Sequence, residues 1–380
     1  MTVATAQIET ADLLAALLRG EVVPWARFQM PWSEFLRACR DDCVTALVHE
    51  HVRALPPECD WPRDIREALA IEARAHAADE LLQYRELTLV LEALAVDHLF
   101  PILLKGAALA YTVYETPSSR PRIDTDLLIR RGEVDAFRRV MANRGYTTPL
   151  NSGGELLFSQ FQLLKTTPHG VVHRFDCHWK ISTQSMFADV LTFDEMAGRA
   201  IQLPALGPHA RTLAPIDALL LACVHPAMHH RNADLLLWAY DVHLLASTLS
   251  DHDFDRFAQL AVGKHVAAIC AHQLGVARMR FGTEIPETAT RMLARVQQRE
   301  ASAVYLRPNR RWIDEVISSV RGLPRAGDRI RLLREIAFPR PAYMLAAYGF
   351  TSSARHLAWL PLLYAHRIVF GCWKLVAGRK

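Results

Sequence analysis

The sequence has no CxxC pair and no dense cysteine framework; its seven cysteines, at 39, 43, 59, 177, 223, 270 and 372, are scattered along the chain. A disulfide-stapled scaffold is thereby excluded, and reduced thiols in a cytoplasmic protein are the expectation. The opening MTVATAQIETADLL lacks a basic stretch followed by an apolar one, so no secretory signal is expected. No segment reaches the roughly 20 apolar residues that a membrane-spanning helix needs. The nearest, HLAWLPLLYAHRIVFGCWKLVAG, is interrupted by Pro361, His366, Arg367 and Lys374. A tail lying on a membrane surface or docked on the protein fits it better than a span. Also missing are a fixed-period repeat, a low-complexity segment, the Walker GxxxxGKS/T pattern and a GxGxxG turn, which removes P-loop and dinucleotide-binding folds. Charge of one sign is scarce too: the net charge is +4, a mild lean toward anionic partners and no nucleic-acid signature.

What is present is ordinary globular composition, 51% hydrophobic and 22% charged, over 380 residues. That length exceeds what a single core of about 250–300 residues holds, so two or three domains are expected. Over residues 9–97 apolar side chains recur at helical spacing, with Leu36, Val44 and Leu47 on one stretch and Leu81, Leu82, Leu87 and Leu91 on the next. Pro62, with Asp64 and Glu67 behind it, suits a helix start. The character then changes. LFPILL (99–104) and DLLIR (126–130) are short apolar runs, and LLFSQFQLLK and VVHRFDCHWK flank the turn signal Thr167-Pro168-His169-Gly170. Ala107–Tyr114 and Glu133–Asn143 between them have helical spacing, which gives strand, helix, strand, helix, hairpin. After Leu213 helical patterning returns. The predicted fold class is α+β: a small mixed sheet at 98–205, preceded by a helical subdomain at 1–97 and followed by a helical domain at 206–380.

Asp124 and Asp126 stand at i and i+2 at the mouth of an apolar strand. Side chains alternate along a strand, so both carboxylates are predicted on one face, with Ile123, Thr125 and Leu127 on the other. Two adjacent acids repel unless compensated, and a bound Mg²⁺ is the simplest compensation. In VVHRFDCHWKIS the pattern recurs. Arg174, Asp176, His178 and Lys180 share one face, opposite Phe175, Cys177, Trp179 and Ile181, which puts a third carboxylate on a strand from which it reaches the same metals. Upstream, Ile102-Leu103-Leu104-Lys105-Gly106-Ala107 reads as a strand breaking at Gly106 into a helix, a turn suited to cradling a triphosphate with Lys105 adding a full positive charge.

The succession LLKGAALA, then Arg120-Pro121 leading into Asp124-Thr125-Asp126-Leu127-Leu128-Ile129, then Gly145-Tyr146, then Phe175-Asp176-Cys177-His178-Trp179, resembles the NTP transferase 5 branch of the polymerase-β-like nucleotidyltransferases. The likeness continues through LAPIDALLLACVHPAMHHR and LLWAYDVHLLA to FPRPAYMLAAYG, roughly residues 80 to 370. The resemblance implies that Asp124 and Asp126 bind two metals, Mg²⁺ or Mn²⁺, and that Asp176 completes the site and activates the nucleophile. It implies too that Lys105, Gly106 and Arg120 hold the nucleoside triphosphate, ATP or another. The superfamily's commoner Gly-Ser pair before the helix is replaced here by Lys105-Gly106.

The activity so implied is transfer of a nucleotidyl group to an acceptor hydroxyl on a small molecule, a peptide or protein, or an RNA end. Two alternatives stand beside it: a non-catalytic adaptor binding nucleotide or peptide in a biosynthetic complex, and a tRNA-targeting toxin-like enzyme, because LKGAALA also looks like the LKGG-type turn of nucleotidyltransferase toxins. His225 and His229, spaced to share a helix face, with His230, Asp241 and His243 near them in sequence, lack the HExxH pattern and a fourth ligand, and Pro226 is expected to disturb the helix. A helix capping the cleft, with His225, His229 or Asp241 touching nucleotide or acceptor, is the expectation, and His178 serves as an orienting or capping residue. Cys39 and Cys43 read as small residues four apart on one helix. Arg122, Arg130 and Arg131 read as a solvated rim of the acidic strand.

Overall fold

The structure is a computed structural model that describes residues 3–149, 159–297, 300–307, 314, 316, 317, 319, 320, 323, 325–351 and 354–377. The start of the LLFSQFQLLK run and the last three residues of the tail fall outside the described residues.

Helices α1 (Val3–Leu18), α2 (Trp32–Asp41), α3 (Thr45–Ala54) and the long α4 (Arg63–Val96) come first. The Pro62 start is as expected: Pro62 is the residue before the first turn of α4. Then follow β1 (Ile102–Leu104), α5 (Lys105–Leu109), β2 (Thr125–Leu128), α6 (Val134–Asn143), β3 (Gln160–Thr166), β4 (Val172–His178), α7 (Ser185–Ala188) and α8 (Phe193–Arg199). Two-residue strands β5 (Ile201–Gln202) and β6 (Arg211–Thr212) complete a six-stranded sheet in the order β3-β4-β2-β1-β6-β5. It is mixed, with β1 and β6 parallel, β3 and β4 antiparallel, and β5 and β6 antiparallel. The α+β expectation holds. β5 and β6 were not anticipated, because two residues carry no alternation to detect.

The chain divides into two compact units, one made of Met1–Leu127 with Met196–Leu306 and the other of Leu128–Glu195 with Arg307–Lys380. In the first, α9 (Pro215–His229), α10 (Leu236–Ser247), α11 (Asp251–Gly263), α12 (Ala267–Phe281) and α13 (Glu287–Gln297) pack together as a helical cluster, with α1 against α12. Its core holds Leu14, Leu219, Val242, Phe257 and Leu274. Of the predicted stripe on α4, Leu87 and Leu91 are buried, with Val90 and Leu94 beside them, whereas Leu81 and Leu82 are exposed; Ile65 and Leu69 bury the start of the helix.

In the second unit β3 and β4 pair in continuous register from Gln160 opposite His178 to Thr166 opposite Val172. The connecting turn closes through Thr167 N donating to Val171 O at 2.8 Å, and Gly170 takes φ +81°, which a side chain would disfavour. Phe175 and Cys177 are buried, as the alternation predicted, and Phe161 and Leu163 of β3 are buried too. The tail forms a helix over Leu360–Ala377 that contributes Leu363 to a small cluster with Met344 and Leu345 and exposes Leu362, Val369 and Phe370. Among the described residues no helix is long and apolar enough to cross a membrane.

Candidate functional site

β1 ends at Leu104, and Lys105, the first residue of α5, takes a left-handed φ of +51° that carries a cost for a residue with a side chain. That turn redirects the chain from strand into α5. It also leaves the Lys105 side chain at the end of β1, beside β2 in the sheet order, where Nζ donates to Asp126 Oδ1 at 2.7 Å. Both side chains are largely out of water, 18% and 8% exposed. The ammonium expected to face phosphate thus already has a carboxylate partner on the acidic strand.

The approach to β2 is fixed from α4. Glu80 accepts from Arg122 Nε at 2.9 Å and Nη2 at 3.0 Å and from Tyr111 Oη at 2.6 Å, and Gln83 Nε2 donates to Arg122 O at 3.2 Å. Arg122 is therefore no solvated rim: its side chain is 2% exposed, and it clamps the segment that carries Asp124 into the strand. Burial, with Glu80 beside it, raises the Tyr111 phenol. Ile123 corrects the simple alternation, because it is 78% exposed while Thr125, Asp126, Leu127 and Leu128 are all buried. β2 is an inner strand of the sheet with both faces covered, so its polar and apolar residues alike are buried.

Arg120 lies deeper. Its guanidinium donates from Nε to Asp241 Oδ1 and from Nη2 to Asp241 Oδ2, both at 2.8 Å, and from Nη1 to Pro121 O at 2.7 Å. Tyr114 Oη donates to Asp241 Oδ1 at 2.7 Å. Burial alone would lower the Arg120 guanidinium, but Asp241 against it keeps it raised; burial and Asp241 together raise the Tyr114 phenol. Gly106 has a packing reason that the sequence did not disclose: a Cβ there would stand 3.2 Å from Arg120 Nη1.

His225, His229 and Asp241 come from α9 and α10. α9 runs on past Pro226 to His229, so the expected disturbance does not end the helix; proline costs one carbonyl its donor, but packing carries the last turn. His225 stacks edge-on with Trp238 at 5.3 Å, and its ring lies 5.7 Å from His229 and 4.8 Å from His230. Burial foremost, then the charge of Lys105, lowers His225 well below the usual histidine range, so the imidazole is neutral at pH 7. His225, Lys105, Arg120 and Asp241 all line one cavity of about 250 Å³.

In the second unit Asp176, midway along β4, accepts from Gln162 Nε2 at 3.1 Å, and the two residues stand directly opposite in the hairpin register. His178 ends the strand, 1% exposed, and its carbonyl accepts from Ile129 N at 2.8 Å. Arg130 pairs with Asp194 at 2.7 Å and lies over Phe193, while Arg131 lies over Trp179. Cys43 is not on a helix with Cys39: α2 stops at Asp41, and Cys43 takes φ +57° in the turn beyond. Cysteines 39, 43, 59, 177, 223 and 270 are free thiols. Sequence reasoning passed over Tyr114, Glu80 and Trp238, since single residues on helices and loops carry no pattern.

No curated protein and no solved structure matches the chain. A family match spans residues 29–282, beginning earlier and ending earlier than the motifs suggested, and it takes in α2 through α12 with the whole sheet. The family is described as uncharacterised nucleotidyltransferase, NTP transferase 5, and this chain belongs to it.

Proposed function

We propose that the protein transfers a nucleotidyl group from a nucleoside triphosphate to an acceptor hydroxyl, with Asp124, Asp126 and Asp176 holding Mg²⁺ or Mn²⁺. The observation that carries this is membership of a nucleotidyltransferase family together with the acidic strand β2, whose Asp126 carboxylate lies 2.7 Å from the Lys105 ammonium and almost out of water. Carboxylate oxygens favour a hard divalent cation such as Mg²⁺ or Mn²⁺. A cation bound there neutralises charge on the triphosphate and favours in-line displacement.

The remaining steps belong to the chain. Asp176 accepts the proton of the acceptor hydroxyl, whose oxygen attacks the α-phosphorus as the bond to pyrophosphate breaks. Lys105, within reach of Asp126, carries the positive charge that meets the phosphates. Gly106 and Arg120 shape the turn beneath it, with the guanidinium fixed by Asp241 so that Lys105 keeps its place. Positioning of this kind is the main contribution a protein makes to phosphoryl-type chemistry.

The test incubates purified full-length protein with Mg²⁺ or Mn²⁺ and each of the four α-labelled triphosphates, ATP first, and follows pyrophosphate release and label transfer. Release that depends on the cation and is lost in Asp126→Asn supports the proposal. Tight triphosphate binding with no release under any of these conditions would replace it with the adaptor alternative.

A further inference from the structure

The 250 Å³ cavity beside Lys105 is apolar over most of its wall, with Leu104, Leu109, Val113, Leu221, Ala222 and Leu245 facing one another across it. Three threonines also line it, but their hydroxyls donate to backbone: Thr112 to Ala108 O at 3.0 Å, Thr212 to Leu103 O at 3.1 Å and Thr248 to Leu245 O at 2.7 Å. At the polar end Arg120 and Asp241 are committed to each other and to Pro121 and Tyr114. What that end presents to a ligand is Lys105, whose ammonium also touches Asp126, the His225 ring and the Trp238 indole stacked edge-on against it.

Such walls are a poor match for a nucleobase, whose edge carries several hydrogen-bonding atoms that would be desolvated without partners. A charged peptide side chain or a ribose end fares no better. They suit a hydrocarbon body with one polar group at its end. For scale, an engineered cavity of about 150 Å³ lined by aliphatic and aromatic side chains accommodates benzene. One of 250 Å³ takes a fused ring pair or a medium alkyl chain.

We propose that this cavity holds the apolar part of the acceptor, and that the acceptor is a small amphiphilic alcohol or phenol whose hydroxyl lies between Lys105 and His225, next to Asp126. The inference rests on the nucleotidyl-transfer reading of the same site and names its substrate class. On transfer, the alcohol oxygen would form a bond to the α-phosphorus, pyrophosphate would leave, and the hydroxyl proton would pass to a carboxylate of the site.

The probe is a series of straight-chain alcohols from butanol to decanol, titrated calorimetrically into the full-length protein without nucleotide. Saturable binding is expected. Affinity should rise about fourfold per methylene, as about 0.8 kcal/mol per buried CH₂ requires, and level off once the cavity is full. Octyl methyl ether, which lacks the hydroxyl proton, should bind several-fold more weakly than octanol. Ala222→Phe, which fills the cavity from α9, should reduce octanol affinity at least tenfold while keeping a cooperative unfolding transition. Ala218→Leu serves in its place should Ala222→Phe not fold. Affinity independent of chain length, an ether that binds as well as the alcohol, or undiminished binding by the filled variants would each overturn the proposal.

Pyrophosphate release with Mg²⁺ and triphosphate in the presence of octanol is read separately. Alcohol binding without release under any condition would sink nucleotidyl transfer and leave the cavity's preference standing. Transfer to a peptide or RNA by a protein that binds no alcohol would sink the acceptor class alone.

Discussion

Arg120 and Asp241, 121 positions apart in the sequence, meet through two parallel hydrogen bonds of 2.8 Å, with both side chains almost entirely buried. The pair ties the segment entering β2 to α10, and the phenol of Tyr114 completes the acceptor shell of the carboxylate. Removing one partner of a buried pair leaves the other charge uncompensated, at about 3–5 kcal/mol. Asp241→Asn is expected to lower unfolding stability by that amount in urea titration. A loss below 1 kcal/mol would mean that the guanidinium finds water in the variant.

Gly106 and the same guanidinium should be coupled. A Cβ at Gly106 would sit 3.2 Å from Arg120 Nη1, and Asp241 prevents the guanidinium from giving way. Gly106→Ala should therefore cost about 1–3 kcal/mol, as overpacking does. In a double-mutant cycle its cost should shrink once Asp241→Asn has released Arg120. Strict additivity of the two substitutions would refute the coupling.

Lys105 and Asp176 separate binding from chemistry. If Lys105 serves the phosphates, Lys105→Ala should weaken triphosphate binding by about tenfold to a hundredfold, the equivalent of about 1.5–3 kcal/mol for a charge-assisted contact. Asp176→Asn should leave affinity within a few-fold and reduce transfer by orders of magnitude. Calorimetry beside pyrophosphate release reads the two independently, and near-normal turnover in Asp176→Asn would make that carboxylate structural.

The histidines set an acid limit. His225 titrates near 6.5 when unfolded and lower in the fold, first because of burial, then because of Lys105, His229 and His230, with Asp126 opposing. Below pH 6.5 the unfolded chain binds a proton that the folded chain refuses, so stability falls as pH falls, by up to about 1.4 kcal/mol per pH unit for one such proton. His49, His230, His243 and His272 are shifted in the same direction and add to the slope. Melting temperature should drop between pH 7.5 and 5.5, and His225→Gln should flatten that drop. An unchanged pH profile in His225→Gln would show that His225 is accessible to protons in the fold.

Local pattern made much of the architecture readable. The 2-residue alternation of VVHRFDCHWK specified β4 and its buried face, Thr167 to Gly170 specified the hairpin turn, and Pro62 specified the start of α4. Where neighbours in space outweighed neighbours in sequence, pattern misled. Ile123 is exposed although it alternates with Asp124 and Asp126, and the Arg122 side chain is out of water although it borders a strand, because Glu80 of α4 reaches it. Cys43 left the helix because the chain turns at positive φ, a choice that no apolar period records.

The sequence by itself determined which residue types lie along the acidic strand and the hairpin, and that a Lys-Gly step precedes a helix, because those features are set by residues within a few positions of one another. Tertiary structure alone decided their partners. Lys105 pairs with Asp126, Gly106 makes room for Arg120, Arg120 chooses Asp241 on a distant helix, and His225 is brought beside Lys105 at the end of an apolar cavity. Each of those pairings depends on desolvation and packing between segments far apart in the chain, energies that exist only once the core has closed around them.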